Sequence, residues 1–366
     1  FILMGNLVSR ARISDDLFAA TNAFVGHRRG GLAYGTVLAC GGFSALCGSS
    51  VATAATMAKV AMPPMRRYGY ADSLAIGSIT AGGTLGILIP PSVVLVIYGI
   101  LTDTSIGKLF AAGLLPGLLA ILLYGCAIWA VTARSPETGP PGTRSPKAER
   151  RAALIKVWPV ATLFILVMGG IYAGIFTPTE AAGIGAVGAF LLALLRRALS
   201  LRIFLEVVEE TALTTASLIF VLIGALIFAN FVNAAGLPQA LSELVSNSGL
   251  PHLATLWIIL GIYLVLGCVF ESLSMVLLTV PVFFPVVQGM GYDLVWFGIV
   301  VVCVTELGLI TPPIGLNIFV VRGTLPDVGT YTIMKGVMPF VAADIVRLAI
   351  IATFPILSLL LPNALF

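Results

Sequence analysis

The sequence predicts an all-α polytopic membrane protein made of inverted repeats, each with a re-entrant helical hairpin and a broken transmembrane helix. Three observations carry this. The first is composition: 366 residues, 59% hydrophobic and 10% charged, with a mean hydropathy of +1.07, a balance no soluble domain has. Stretches 107–133, 157–175 and 335–362 stay apolar over the about 20 residues that a bilayer crossing needs. The second is a repeat. Leu85-Gly86-Ile87-Leu88-Ile89-Pro90-Pro91-Ser92 returns as Leu307-Gly308-Leu309-Ile310-Thr311-Pro312-Pro313-Ile314, at an offset of 222. The same offset puts Ser50 on Ser272, Pro63 on Pro285 and Gly69-Tyr70 on Gly291-Tyr292. The third is the placement of Lys and Arg, which differs between the two halves.

Each Pro-Pro pair removes two backbone donors and pushes the preceding residue out of the helical region, so both apolar runs must unwind there. In lipid a break is tolerated only where the freed groups face protein, water or an ion. Broken helices at matching positions of two halves therefore point to a transport site.

Residues 1–29 read as the tail of a span, a basic flank at Arg10 and Arg12, and an interfacial helix carrying Leu17, Phe18 and Phe24. With no signal peptide and no initiating Met, the natural chain is expected to begin earlier. The first repeat is 30–133. Its hairpin, 30–65, has Gly48, Ser49 and Ser50 at the tip, and each arm, about 14–17 residues, is short for a full crossing. Two tilted full spans are the alternative. His27-Arg28-Arg29 and Arg66-Arg67 place both flanks on the cytoplasmic side under either reading. The broken helix is 71–101, and 109–132 returns.

Residues 134–156, rich in Arg, Lys and Pro, read as a flexible cytoplasmic linker. Residues 157–250 hold scaffold spans: 157–175 crosses outward, Thr177-Pro178-Thr179-Glu180 signals a helix start, and 181–195 crosses back to Arg196 and Arg197. Arg202 to Thr211 reads as a second interfacial helix, and 212–235 as a span. The second repeat is 251–322, with hairpin 251–288, tip Phe270 to Ser274, and broken helix 293–321. The flanks of this hairpin, 236–252 and 288–295, contain no Lys or Arg, so the two hairpins enter from opposite faces. Residues 323–366 carry a last span, 337–361, in which Asp344 and Arg347 lie three apart on one face and can pair structurally.

Two tips and two breaks related by inversion would meet near the midplane. Carbonyls exposed before each break can hold a cation, and helix N-termini after each break offer N–H groups to an anion. Hydroxyls at Ser49, Ser50, Ser92, Ser272, Ser274 and Thr311 add oxygens suited to sodium. Glu271 and Glu306 are the intramembrane carboxylates, each a functional candidate against a plainer reading: a helix cap for Glu271, an interhelical partner for Glu306. Lys59 reads as a snorkelling or paired residue, and the five scattered cysteines as packing. The net charge of +4 sits in loops and marks orientation, not nucleic-acid binding. No phosphate-binding Gly-x-x-x-x-Gly-Lys and no His-Glu-x-x-His is present, so neither ATP coupling nor metal-assisted hydrolysis is indicated, and the chain is read as no enzyme.

These segments resemble the large membrane subunit (DctM-like) of tripartite ATP-independent periplasmic, or TRAP, transporters. The matching residues are Phe43 to Ala55, Met65 to Tyr70, Gly82 to Ser92 running on to Tyr98-Gly99, Ser105 to Gly117, Thr177 to Ala182, and Glu306 to Gly315. The resemblance implies an elevator-type secondary transporter of a bacterial inner membrane, related in fold to the ion transporter superfamily. It would be driven by sodium as coupling ion, with no other cofactor. Its implied partners are a small DctQ-like membrane subunit and a DctP-like periplasmic substrate-binding protein, and its substrates C4-dicarboxylates, sialic acid or other organic acids.

Carried over by position, sodium would be held by Gly48, Ser50, Thr84, Gly86 and Pro90 in one half and Glu271, Ser274, Gly308 and Pro312 in the other, mainly through backbone carbonyls. The substrate would lie among Ser49, Ser50, Pro91, Ser92, Ser272, Thr311, Pro313 and Asn317. The departure from the family pattern is the absence of its first helices, which leaves the scaffold incomplete. A self-sufficient sodium/dicarboxylate or anion carrier, and a membrane assembly or anchoring protein, stay open as alternatives.

Overall fold

The computed structural model describes residues 1–247 and 249–366, and among them it contains helices and turns but no strand. Two helices come first, α1 (Ile2–Arg10) and α2 (Ile13–Val25). The first hairpin is α3 (Gly31–Cys47) and α4 (Ser50–Arg67), turned by Gly48 at φ +64° and by Ser49, whose hydroxyl accepts from the Ala52 N–H at 3.3 Å. The first broken helix is α5 (Asp72–Thr84), one 3-10 turn (Leu85–Ile87), the Pro-Pro pair, and α6 (Val93–Thr102). Then come α7 (Ile106–Arg134), α8 (Lys147–Tyr172), α9 (Pro178–Leu195), α10 (Leu201–Ala234) and α11 (Leu237–Asn247).

The second hairpin is α12 (His252–Gly267) and α13 (Ser272–Gly289). The second broken helix is α14 (Leu294–Ile310) and α15 (Leu316–Thr324), separated by Thr311 to Gly315. Helices α16 (Thr330–Thr353) and α17 (Ile356–Leu365) end the chain. Among the described helices α7, α8, α9, α10, α13 and α16 are long and apolar enough to cross a membrane, and α3, α6, α12, α14 and α17 are apolar but shorter. This is a multi-pass, all-α membrane protein.

Small residues set how closely the repeats pack. A Cβ on Gly77 of α5 would lie 2.2 Å from the Gly336 carbonyl oxygen of α16, so these helices meet backbone to backbone, as membrane helices do where side chains are absent. Polar groups add to this: the Tyr98 hydroxyl joins the two repeats by donating to the Leu294 carbonyl at 2.7 Å, and the Trp296 indole N–H holds the second repeat to α16 by donating to the Ile351 carbonyl at 2.9 Å.

Four elements differ from the sequence expectation. The linker 134–156 is held at its start: the Gly30 and Ala71 N–H groups donate to the Gly139 and Thr138 carbonyls at 2.8 and 3.0 Å, and the Gly142 N–H donates to Gly26 at 2.9 Å. Its basic half is the first turns of α8, because Lys147 to Leu154 are good helix formers once Pro146 is passed. The expected interfacial helix at 202–211 and the span after it are one 34-residue helix, α10, since neither Gly nor Pro falls between Leu201 and Ile223. The flank 236–252, to which the sequence reading gives no element of its own, carries α11. The last span breaks at Phe354-Pro355, where proline ends α16 inside a stretch whose apolar composition does not change.

Candidate functional site

The tips of the two hairpins face each other across a cavity of about 700 Å³, lined by Gly48, Ser49 and Ser50 on one side and by Glu271, Ser272 and Ser274 on the other. Each tip is the N-terminus of a helix. At the second, Glu271 caps α13: its Oε2 accepts from the Leu273 and Ser274 N–H groups at 2.9 and 3.3 Å, and its Oε1 accepts from the Ser272 hydroxyl at 2.7 Å. Glu271 is therefore both a helix cap and a cavity residue.

Each break is pressed against its tip through glycine. A Cβ on Gly86 would lie 2.5 Å from the Ser49 carbonyl oxygen, and one on Gly48 would lie 2.9 Å from the Pro91 carbonyl oxygen. In the second half a Cβ on Gly308 would lie 2.6–2.8 Å from the backbone of Gly267, and the Gly315 N–H donates to the Cys268 carbonyl at 3.3 Å. Only glycine permits these approaches, which in the first half set the Ser49 carbonyl oxygen against Gly86 of the break and the Pro91 carbonyl oxygen against Gly48 of the tip. No group of three or more His, Cys, Asp or Glu occurs among the described residues. Any cation here would be held by carbonyl and hydroxyl oxygens, the donor set a hard ion takes.

Of the remaining candidates, Thr84, Gly86, Pro90, Pro91 and Ser92 are buried directly behind the first tip, where Ile87 and Val93 reach the cavity wall. The Ser92 hydroxyl is used locally, donating to the Ile87 carbonyl and capping α6 at the Leu95 N–H. The second break does not reach the cavity lining. The Thr311 hydroxyl donates to the Leu307 carbonyl at 2.6 Å, Pro312 is half-buried, and Pro313 is exposed. Asn317 is buried with its Nδ2 3.5 Å from the Thr80 carbonyl. This break touches the Gly267–Cys268 side of its tip, and the cavity opens on the Glu271–Ser274 side.

Sequence reasoning missed the third wall. Asn6 of α1 and Glu210, Thr214, Ser217 and Val221 of α10 also line the cavity. The signal was present: 210, 214 and 217 recur at helical spacing and put a polar stripe, continued by Val221, on a largely apolar helix. Glu210 and Glu271 are the charged residues of this lining, and no Lys, Arg or His is among them. Arg10 stands 3.6 Å from Glu210. The N-terminus of α4 presents its partial positive charge at the first tip, while at the second the Glu271 carboxylate offsets that of α13. Replacing Glu271 with Ala is expected to cost about 1 kcal/mol through the lost cap. A thermal shift of the purified protein, with Glu271→Asp as the conservative comparison, measures it.

Glu306 lies elsewhere, fully buried in α14, with its Oε2 2.7 Å from Nη2 of Arg347. Asp344 Oδ1 is 3.0 Å from the same nitrogen, so the expected Asp344–Arg347 pair is present and Glu306 joins it. Lys59 is exposed.

The family model described as "Tripartite ATP-independent periplasmic transporter, DctM component" matches residues 1–357. The chain is 38% identical, over 99% of its length and 84% of the relative's, to the C4-dicarboxylate TRAP transporter large permease protein DctM of Pseudomonas aeruginosa. It is 36% identical, over 99% and 84%, to the sialic acid TRAP transporter large permease protein SiaM of Vibrio cholerae. These relatives are named as transporter permeases, not enzymes. In fold it resembles the YdaH transporter of Alcanivorax borkumensis, whose structure is described as having an unusual topology, with a TM-score of 0.66, 15% identity, and coverage of 99% of this chain and 84% of that one. The chain belongs to the DctM component family of tripartite ATP-independent periplasmic transporters.

Proposed function

We propose that this permease imports C4-dicarboxylates or related organic acids together with sodium, by an elevator movement of the hairpins and broken helices against a scaffold that includes α1 and α8–α11. The observation that carries this is the convergence of two capped helix N-termini on one cavity, each backed by a helix break packed through glycine against the tip. A substrate carboxylate would take N–H groups and hydroxyls from Ser49 and Ser50 on one side, and on the other the Ser272 N–H and the Ser274 hydroxyl, the donors there that do not serve Glu271. Sodium would take carbonyl oxygens between tip and break, where binding of a cation beside Glu271 and near the substrate carboxylate offsets the acidic lining. With tip and break joined at Gly86 and Gly308, an ion bound between them ties each hairpin to its broken helix and lets them travel as one body.

In this reading the chain works in a bacterial inner membrane with a small DctQ-like membrane subunit and a DctP-like periplasmic binding protein. The substrate choice follows the relative named for C4-dicarboxylates, and the one named for sialic acid sets the next acid to test. Ser50→Ala and Ser272→Ala, inserted at wild-type levels in proteoliposomes, are each expected to raise the substrate concentration for half-maximal sodium-driven uptake by about tenfold, the effect of about 1.4 kcal/mol. Wild-type saturation curves in both variants would remove the tips from the substrate site.

A further inference from the structure

The residue that ends α5 at the first break, Thr84, and the residue at the equivalent position in the second half, Glu306, are separated by the repeat offset of 222. They stand in the same place relative to their breaks, in Thr84-Leu85-Gly86 and Glu306-Leu307-Gly308. A single chain of polar contacts joins them. Tyr124 donates to Asp344 Oδ2 at 2.8 Å, so at the Thr84 link the proton comes from the Thr84 hydroxyl, which lies 3.1 Å from the Tyr124 oxygen and 2.8 Å from its other acceptor, the Ala81 carbonyl. Asp344 Oδ1 is 3.0 Å from Arg347 Nη2, which is 2.7 Å from Glu306 Oε2. Thr84, Tyr124, Glu306 and Arg347 are fully buried and Asp344 is 1% exposed.

The bridging residues come from corresponding helices: Tyr124 is on α7, which follows the first broken helix, and Asp344 and Arg347 are on α16, which follows the second, although at the offset of 222 Tyr124 falls on Val346. Helices α5, α7, α14 and α16 each pack against the other three. A second link runs alongside, from the Asn317 amide after the second break to the Thr80 carbonyl one turn before the first.

We infer that Tyr124, Asp344 and Arg347 are positioning residues that tie the two helix breaks into one unit, so that the two cation sites fill cooperatively. The inference rests on the proposed reading that both breaks hold sodium. Arg347 holds two carboxylates through one nitrogen. A shift of Glu306 as the second break relaxes would strip a buried ion pair, and the disturbance would pass through Asp344 and Tyr124 to the last turn before the first break. Loading one break then favours the loaded geometry at the other, which is a coupling between sites through a physical contact path.

The test is a sodium titration of the purified permease, read by thermal stabilisation in detergent, with Thr84→Val cutting the chain at the Thr84–Tyr124 link, Tyr124→Phe cutting it there and at Asp344, and Thr84→Ser keeping it. Wild type and Thr84→Ser are expected to give a Hill coefficient above 1. Tyr124→Phe and Thr84→Val are expected to bring it to about 1 and to raise the half-saturating sodium concentration by about fivefold or more, the lower end of typical coupling. A purely structural role would lower the melting temperature equally with and without sodium and leave the Hill coefficient alone. An unchanged Hill coefficient in both cut variants, beside a sigmoidal wild type, overturns the coupling and spares the sodium reading. A wild type with no response to sodium overturns both.

Discussion

Arg347→Met is expected to destabilise the folded permease by about 3–5 kcal/mol, because it leaves Glu306 and Asp344 as buried carboxylates with no cation between them. Both acids are held in the membrane core by that one guanidinium, and an unpaired charge there has no water to solvate it. The size of the loss reflects the two stranded carboxylates more than the pair's own net contribution, which desolvation largely offsets. A triple variant, Glu306→Leu with Asp344→Leu and Arg347→Met, is therefore expected to recover most of the stability lost by the single one. Thermal unfolding in detergent compares the three proteins. A single variant as stable as wild type, or a triple variant worse than the single, would show that the cluster does not hold the helices in the way described.

Gly86→Ala and Gly308→Ala are expected to lower uptake by about tenfold or more while the protein still inserts, since overpacking at close contacts costs about 1–3 kcal/mol. The added methyl of the first meets the Ser49 carbonyl oxygen at 2.5 Å, and that of the second meets the Gly267 Cα at 2.7 Å. Both obstacles are backbone, so neither can swing aside, and each tip must separate from its break. That separation removes the carbonyl cluster to which the sodium reading is assigned. Gly323→Ala, with no atom within 4 Å of the added carbon, is the control and is expected to transport as wild type does. Normal uptake by Gly86→Ala and Gly308→Ala would contradict the role given to the tip and break contacts.

The parts of the fold that local chemistry dictates were legible in the sequence. Gly48 and Ser49 turn the first hairpin, Glu271 caps the return arm of the second, and the two Pro-Pro pairs interrupt the helices where their lost donors require it. What depended on distant partners was less legible. Tyr124 and Asp344 are 220 residues apart in sequence, and nothing near either announces the other. The polar stripe of α10 was divided between an interfacial helix, where Glu206, Glu209 and Glu210 cluster, and the span after it, which held Thr214 and Ser217, although no residue there stops a helix. Thr311, Pro313 and Asn317 were placed at the substrate because the family resemblance implies it. The second break meets its tip on the side away from the cavity, so equivalence in sequence did not give equivalence in exposure. Pro355 went unweighed inside an apolar run, although a single proline is enough to end α16.

The most direct test is uptake of radiolabelled C4-dicarboxylates and sialic acid into proteoliposomes holding the permease and its small membrane subunit, with and without an inward sodium gradient and the periplasmic binding protein. The account predicts that at least one of these acids accumulates only when the gradient and the binding protein are both present. Accumulation that ignores the sodium gradient, or that proceeds equally well without the binding protein, would contradict it.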